Sequence, residues 1–151
     1  MIKIICMGKI KETYLQEAIN EYKKRLTKYT KLEILELKDE KDMDKEIALQ
    51  KEYNQIKKHI TEKDNLVLLD PKGKQHTSES FSEYINNELV HNSNITFLIG
   101  SSNGFKQELK DQISKKISFS SLTFPHQLFR VLLLEQIYRS FKILNNETYH
   151  K

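Results

Sequence analysis

Two short stretches constrain this chain more than any other feature. Leu66–Leu69 and Ile95–Ile99 carry no charged residue and stop at turn-forming residues, Asp70-Pro71 and Gly100. A strand that keeps one face in water alternates apolar and polar positions. A strand that is apolar throughout is covered on both faces, as in a parallel sheet flanked by helices.

The surrounding segments agree with such a sheet. Ile2–Cys6 is a third apolar, β-favouring run, whereas Leu32–Leu37 alternates apolar and charged residues like a half-exposed strand near a sheet edge. Between the strands the spacing changes. Leu15, Ala18, Ile19, Tyr22, Leu26 and Tyr29 recur at steps of three and four and predict a helix over Tyr14–Tyr29. Met43–Ile60 predicts a second helix, with Ile47, Tyr53, Ile56 and Ile60 facing inward, and Ser78–Val90 a third, with Ser78 as its N-cap. A short helix is expected around Phe105–Ile113 and a strand near Ile117–Ser120. Pro125 suits the first turn of a last helix that reaches about Leu144. Strands and helices in strict turn specify an α/β domain with a mostly parallel sheet. No Pro/Gly/Ser-rich linker and no internal repeat divides the chain, so residues 1–151 are expected to form a single domain.

Composition removes several classes. With 38% hydrophobic and 30% charged residues, the chain is neither collagen-like, nor low-complexity, nor fully disordered. Cys6 is the only cysteine, which excludes an internal disulfide and reads as a small buried apolar residue. The N-terminus lacks a signal-peptide pattern, and no window approaches the roughly 20 apolar residues of a membrane span. A cytoplasmic protein without a membrane partner is expected. The net charge of +4 permits an anionic partner without specifying one. None of His59, His76, His91, His126 and His150 is spaced with another histidine or a cysteine as zinc ligands are, so no metal is expected. His59 reads as sitting near a helix end and His91 in a polar loop. His126, at a helix start, is open between a capping or surface role and a binding one.

Open α/β sheets bind ligands at the carboxyl ends of their strands. Three segments fall there: Leu69–Lys74, Gly100–Gly104 and Phe119–His126. Gly73, Gly100 and Gly104 are three of the four glycines, although neither stretch matches a phosphate or dinucleotide motif. The last helix is apolar nearly all round, from Leu128 and Phe129 to Tyr138 and Phe141, and is expected to lie at a subunit interface of a symmetric dimer. Arg130, Arg139 and Lys142, with Lys72 and Lys74, are expected to give the crevice a positive rim. Lys23, Lys24, Arg25, Lys28 and Lys31 on the first helix either grip phosphates or simply face solvent.

These segments also carry a resemblance. Gly8-Lys9-Ile10-Lys11-Glu12-x-Tyr14, Leu69-Asp70-x-x-Gly73-Lys74, Phe97-Leu98-Ile99-Gly100, Leu122-Thr123-Phe124-Pro125-His126-x-Leu128-x-Arg130, Glu135-Gln136-x-Tyr138-Arg139 and the terminal Tyr149-His150-Lys151 resemble the RlmH family over essentially the whole chain. These are bacterial 23S ribosomal RNA pseudouridine N3-methyltransferases of the SPOUT class. The resemblance implies a homodimer whose C-terminal part forms a trefoil knot holding S-adenosylmethionine. The cofactor would lie against Leu69, Gly100 and the segment Phe119, Ser120, Ser121, Leu122, Thr123 and Phe124. It further implies that the C-terminal Tyr-His pair closes a composite site across the dimer, on 23S ribosomal RNA within the ribosome. Ser101 stands where the family usually has a second glycine, and Asn146 and Thr148 where glycine and proline are common.

Methyl transfer from a sulfonium to a ring nitrogen is a direct displacement, and N3 of pseudouridine must lose its proton. On this logic His150 or Tyr149 orients the base and helps remove that proton, while Arg139 steadies developing negative charge. Two rival readings share the pattern. One is a non-catalytic ribosome- or RNA-binding protein of the same fold, which calorimetry with S-adenosylmethionine distinguishes. The other is a flavodoxin-like nucleotide or flavin binder, which an absorbance spectrum distinguishes.

Overall fold

A computed structural model describes residues 1–41 and 44–151. Along the chain these form β1 (Ile2–Met7), α1 (Thr13–Leu26), β2 (Leu32–Leu37), α2 (Lys45–Lys57), β3 (Leu66–Gln75), α3 (Ser78–Asn92), β4 (Ile95–Ile99), α4 (Gln107–Gln112), β5 (Lys116–Ser118) and α5 (His126–Leu144). The five strands make one sheet in the order β2-β1-β4-β3-β5, and every neighbouring pair is parallel. β2 lies at an edge, as its alternating pattern requires. β4, apolar but for Thr96, is buried at all five positions.

The period of two along each strand sorts side chains to the two faces. Ile2, Ile4 and Cys6 of β1 join Val67, Phe97 and residues of α1, α3 and α5, including Leu26, Ile85 and Ile137, in one core layer. Ile5 and Met7 point the other way and join Leu68 and Leu98, with Tyr53 and Ile56 of α2 and Leu109 of α4. Helices thus cover both faces of the sheet. This is why β3 and β4 read as uninterrupted apolar runs.

Several local expectations change. In α2, Ile47 is 54% exposed rather than inward, and Ala48, Glu52, Tyr53 and Ile56 form the buried face. Asp44 caps the helix by accepting from the Glu46 amide at 3.0 Å, and Met43 lies outside the described residues. The cap of α3 is Thr77, whose Oγ1 accepts from the Ser80 amide at 3.0 Å. Ser78 instead donates its hydroxyl to Gln136. α3 also runs on to Asn92, so His91 lies within the helix and not in a loop. α1 stops at Leu26, and Tyr29 beyond it stacks on Phe141 with ring centroids 5.5 Å apart.

α5 packs on its own domain. Leu133, Leu134 and Ile137 are fully buried and Phe141 nearly so, because the helix lies against α1 on one side and α3 on the other. Core burial on two sides accounts for most of its apolar circumference. A strip with Leu128, Val131 and Leu132 stays partly exposed.

β3 is longer than its apolar run because the chain bends and resumes. Leu69 and Lys74, either side of the bend, both pair with Ile117 of β5. Gly73 makes this possible: a Cβ there would stand 2.6 Å from the backbone of Ile117 and Lys116, closer than any real side chain allows. Gly73→Ala is expected to destabilise the protein by about 1–3 kcal/mol through overpacking. Thermal melting checks this, and an unchanged midpoint would contradict the close approach.

Candidate active site

β4, β3 and β5 are neighbours in the sheet, so their carboxyl ends open side by side. Leu69 closes the apolar part of β3, Gly100 follows β4, and Phe119 follows β5. A cavity of about 730 Å³ lies at these ends, within the 300–1,000 Å³ range usual for small-molecule sites. Of the residues expected to touch a cofactor, Leu69, Gly100, Phe119, Ser120, Leu122, Thr123 and Phe124 line it; Ser121 sits in the same loop outside the lining.

The loops owe their shapes to local hydrogen bonds. After β5, Ser118 Oγ donates to the Ser120 carbonyl at 3.0 Å and Ser120 Oγ accepts from the Leu122 amide at 3.0 Å. These contacts end the strand earlier than Ser120 and fold Leu122 to the cavity lip, where it is 71% exposed. After β4, the Gly104 amide donates to the Ser101 carbonyl at 2.9 Å, closing a turn. A Cβ on Gly100 would lie 2.8 Å from the Gly104 carbonyl oxygen, and Gly104 itself has φ +76°. Both glycines are therefore required by this turn.

Sequence reasoning missed some lining residues. Lys110 comes from α4, and its ammonium stands 3.6 Å from the buried carboxylate of Asp70, which also accepts from the Lys72 amide at 2.8 Å. No periodicity marks such a residue. Phe129, on the apolar side of α5, carried a signal that also fits plain core packing. His126 lines the cavity with its ring half-buried. Burial, reinforced by Arg130 and Lys41, holds its pKa below the ordinary value, and its Nε2 has no hydrogen-bond partner among the described residues.

The positive rim needs correction. Arg130 is 1% exposed and lies inside the protein, donating to the Met7 and Gly8 carbonyls at 2.7 and 2.6 Å and to Glu36 at 2.7 Å. Those carbonyls end β1 and need donors, and a guanidinium supplies several at once. Lys142 pairs with Glu147 at 2.6 Å, and Lys28 with the same carboxylate at 3.4 Å. On α1, Arg25 pairs with Glu21, whereas Lys23 and Lys24 remain exposed. Cys6 is buried as expected, and burial pushes its thiol up to about 11, out of the nucleophile range.

His150, Tyr149 and Arg139 come together, but within one chain none of them lines the cavity. The tail turns at Asn146, whose φ of +54° lies in the left-handed region that asparagine tolerates best after glycine. Glu147 then anchors it. Lys142, then Tyr29 and Lys28, hold that carboxyl down to about 2. Beyond the anchor, the Tyr149 ring packs edge-on against Tyr138, with centroids 5.0 Å apart, beneath the Arg139 guanidinium. Its hydroxyl meets Glu135 at 3.2 Å, and burial, then Tyr22, pushes the phenol up to about 12. His150 is held at both nitrogens. Arg139, which can only donate, lies 3.1 Å from Nδ1, and Glu79 accepts at 2.6 Å from Nε2. The ring is thereby fixed as the tautomer with its hydrogen on Nε2.

Among the described residues, no group of three or more His, Cys, Asp or Glu is arranged to hold a metal, and no helix is long and apolar enough to cross a membrane.

Comparison with known proteins places this geometry in context. A family model described as "Predicted SPOUT methyltransferase" matches residues 1–150. The chain is 52% identical over 157 aligned positions to the Ribosomal RNA large subunit methyltransferase H 1 of Clostridium perfringens (strain SM101 / Type A), covering 99% of each chain. It is 52% identical, again over 99% of each chain, to the Ribosomal RNA large subunit methyltransferase H of Clostridium botulinum (strain Hall / ATCC 3502 / NCTC 13319 / Type A).

Proposed function

The chain belongs to the SPOUT methyltransferase family, and from that premise we propose that it methylates N3 of a pseudouridine in 23S ribosomal RNA, using S-adenosylmethionine. In this reading residues 1–151 are one methyltransferase domain that acts in the cytoplasm as a homodimer on the ribosome, without a metal or a membrane. The observation that carries the reading is the convergence of three strand-end loops on one cavity of about 730 Å³. The relatives' names supply the class of nucleic acid.

The cavity fits the cofactor. Leu69, Leu122 and Phe124 offer apolar surface to a purine, Gly100 allows close backbone approach, and Ser120 and Thr123 offer hydroxyls to the polar parts. When bound there, S-adenosylmethionine would supply a sulfonium methyl group, which the ring nitrogen takes up while the neutral thioether leaves. The protein's share is alignment, which contributes on the order of 7–11 kcal/mol in well-oriented reactions. Two features support the C-terminal trefoil knot: β5 lies alongside both arms of the bend at 70–73, and the chain passes Gly73 at backbone contact distance.

The tail makes the division of labour concrete. A phenol pushed up to about 12 stays protonated, so Tyr149 orients the base as a donor and His150 removes the proton. Nε2 already carries a hydrogen, so Nδ1 is the basic atom, and it is occupied by Arg139. The N3–H of the base takes the place of Arg139 at Nδ1. Arg139 is then free to face the negative charge that develops on the ring carbonyls. Because these groups lie off the cavity of their own chain, they serve the cavity of the second copy.

The experiment is methyl incorporation from labelled S-adenosylmethionine into ribosomes that lack the modification, with the product nucleotide mapped. Label at N3 of a single 23S pseudouridine is expected. No label, or label on another nucleotide, would overturn the reading.

A further inference from the structure

Helix α2 buries a carboxylate that the mechanism leaves unused. Glu52 is 3% exposed, and among the described residues no Lys, Arg or His comes within ion-pair distance of it. Among the described residues, the charges that act on it, Asp39 and Glu40, are themselves acidic. An uncompensated buried charge is expensive, and an apolar residue at this position of the helix would pack at less cost. The carboxylate must therefore hold something that an apolar side chain could not.

What it holds are two strand-end loops. Oε2 accepts from the Ser101 hydroxyl at 2.9 Å, and Oε1 accepts from the Glu40 amide at 3.2 Å. Ser101 lies in the turn that follows β4 and lines the cavity with Gly100, Ser102 and Gly104. Its hydroxyl, while donating to Glu52, accepts from the Asn103 amide at 3.3 Å. One oxygen thus links the turn to itself and to the helix. Glu40 belongs to the β2–α2 connection, next to Asp39, whose carboxylate lies against Gly8.

We infer that Glu52 is a positioning residue for cofactor binding: through the Ser101 hydroxyl it fixes the Gly100–Gly104 turn in the shape that forms one wall of the cavity. Burial raises the carboxyl pKa, and the two donated hydrogen bonds offset that rise only in part. The inference rests on the reading of the cavity as the S-adenosylmethionine site.

Titration calorimetry of the full-length protein with S-adenosylmethionine tests it. Glu52→Gln and Ser101→Ala are each expected to weaken binding by roughly tenfold, the effect of losing one charge-assisted hydrogen bond. The double variant is expected to bind no more weakly than the weaker single one, because both changes remove the same contact. In Glu52→Gln, whose side chain lies outside the cavity lining, the loss should fall on the KM for S-adenosylmethionine and not on kcat. A merely structural role would not produce this split. Gln55→Ala provides the control: Gln55 is also on α2 and reaches the same connection, donating to the Lys38 carbonyl at 2.9 Å, but does not touch the turn. It should bind like wild type. Ser101→Ala guards against misfolding, since it leaves Glu52 and the helix unchanged. Wild-type binding with unchanged affinity in both single variants, or additive losses in the double, would overturn the inference alone. No binding by the wild-type protein would overturn the cofactor reading and the inference together.

Discussion

Replacing His150 with alanine is expected to lower turnover by roughly 100- to 10,000-fold, the range over which a positioned acid or base acts, while affinity for S-adenosylmethionine stays close to wild type. The split follows from placement. The ring contacts Arg139 and Glu79 and contributes nothing to the cavity lining. It is the one group of the tail whose two ring nitrogens are both held, which fixes its tautomer. Tyr149→Phe should be milder, because it removes a donor and leaves the aromatic packing on Tyr138 and the stacked Arg139 in place. Steady-state methyl incorporation alongside calorimetry checks both values. Unchanged turnover in His150→Ala would remove the base from the mechanism, and a parallel fall in cofactor affinity would place the ring at the cofactor instead.

What the sequence disclosed, and what it hid, follows from how each signal arises. β3 and β4 were legible because burial on both faces leaves no position for charge, and the edge strand β2 because burial on one face imposes alternation. Once the sheet was parallel, the three strand-end loops had to face one side, and the candidate cofactor residues fell there. Polar groups that fold inward were hidden. Helical periodicity assigns Ile47 to the core, whereas α2 exposes the isoleucine and buries Glu52 beside Ala48, Tyr53 and Ile56. The proposed knot rests on resemblance alone, since no local pattern encodes threading, whereas the proposed dimer was also read from the apolar last helix. The companions of the tail, Glu79 and Glu135, could not be paired with His150 and Tyr149 until the fold brought α3 and α5 together.

Arg130 shows the same inversion and yields the largest expected loss of stability. Charge on a helix reads by default as surface, yet this guanidinium is buried and bridges three acceptors: Met7 O, Gly8 O and Glu36. Glu36 also accepts from the Ile10 amide at 2.9 Å, so the pair ties the first turn of α5, the end of β1 and the following loop together. Arg130→Met keeps much of the volume but strands two buried carbonyls and one carboxylate. The expected cost is about 3–5 kcal/mol, as for other broken buried ion pairs. For a chain of this length that corresponds to a fall in Tm of roughly 6–20 °C. Glu36→Gln should cost less, because the Glu36 side chain is 36% exposed and water can replace part of what is lost. In the double variant Arg130→Met/Glu36→Leu, part of the stability should return, since no unpaired charge remains. Full recovery is not expected, because the Met7 and Gly8 carbonyls still lack donors. Thermal and urea melting of the three variants measure these differences. Since His126 stands one turn before Arg130 on the same helix and lines the cavity, Arg130→Met should also weaken cofactor binding at temperatures where the protein remains folded. A melting midpoint within about 1 °C of wild type, on the same stability scale, would show that the strand-end carbonyls find other donors and that Arg130 is not what fastens α5 to the sheet.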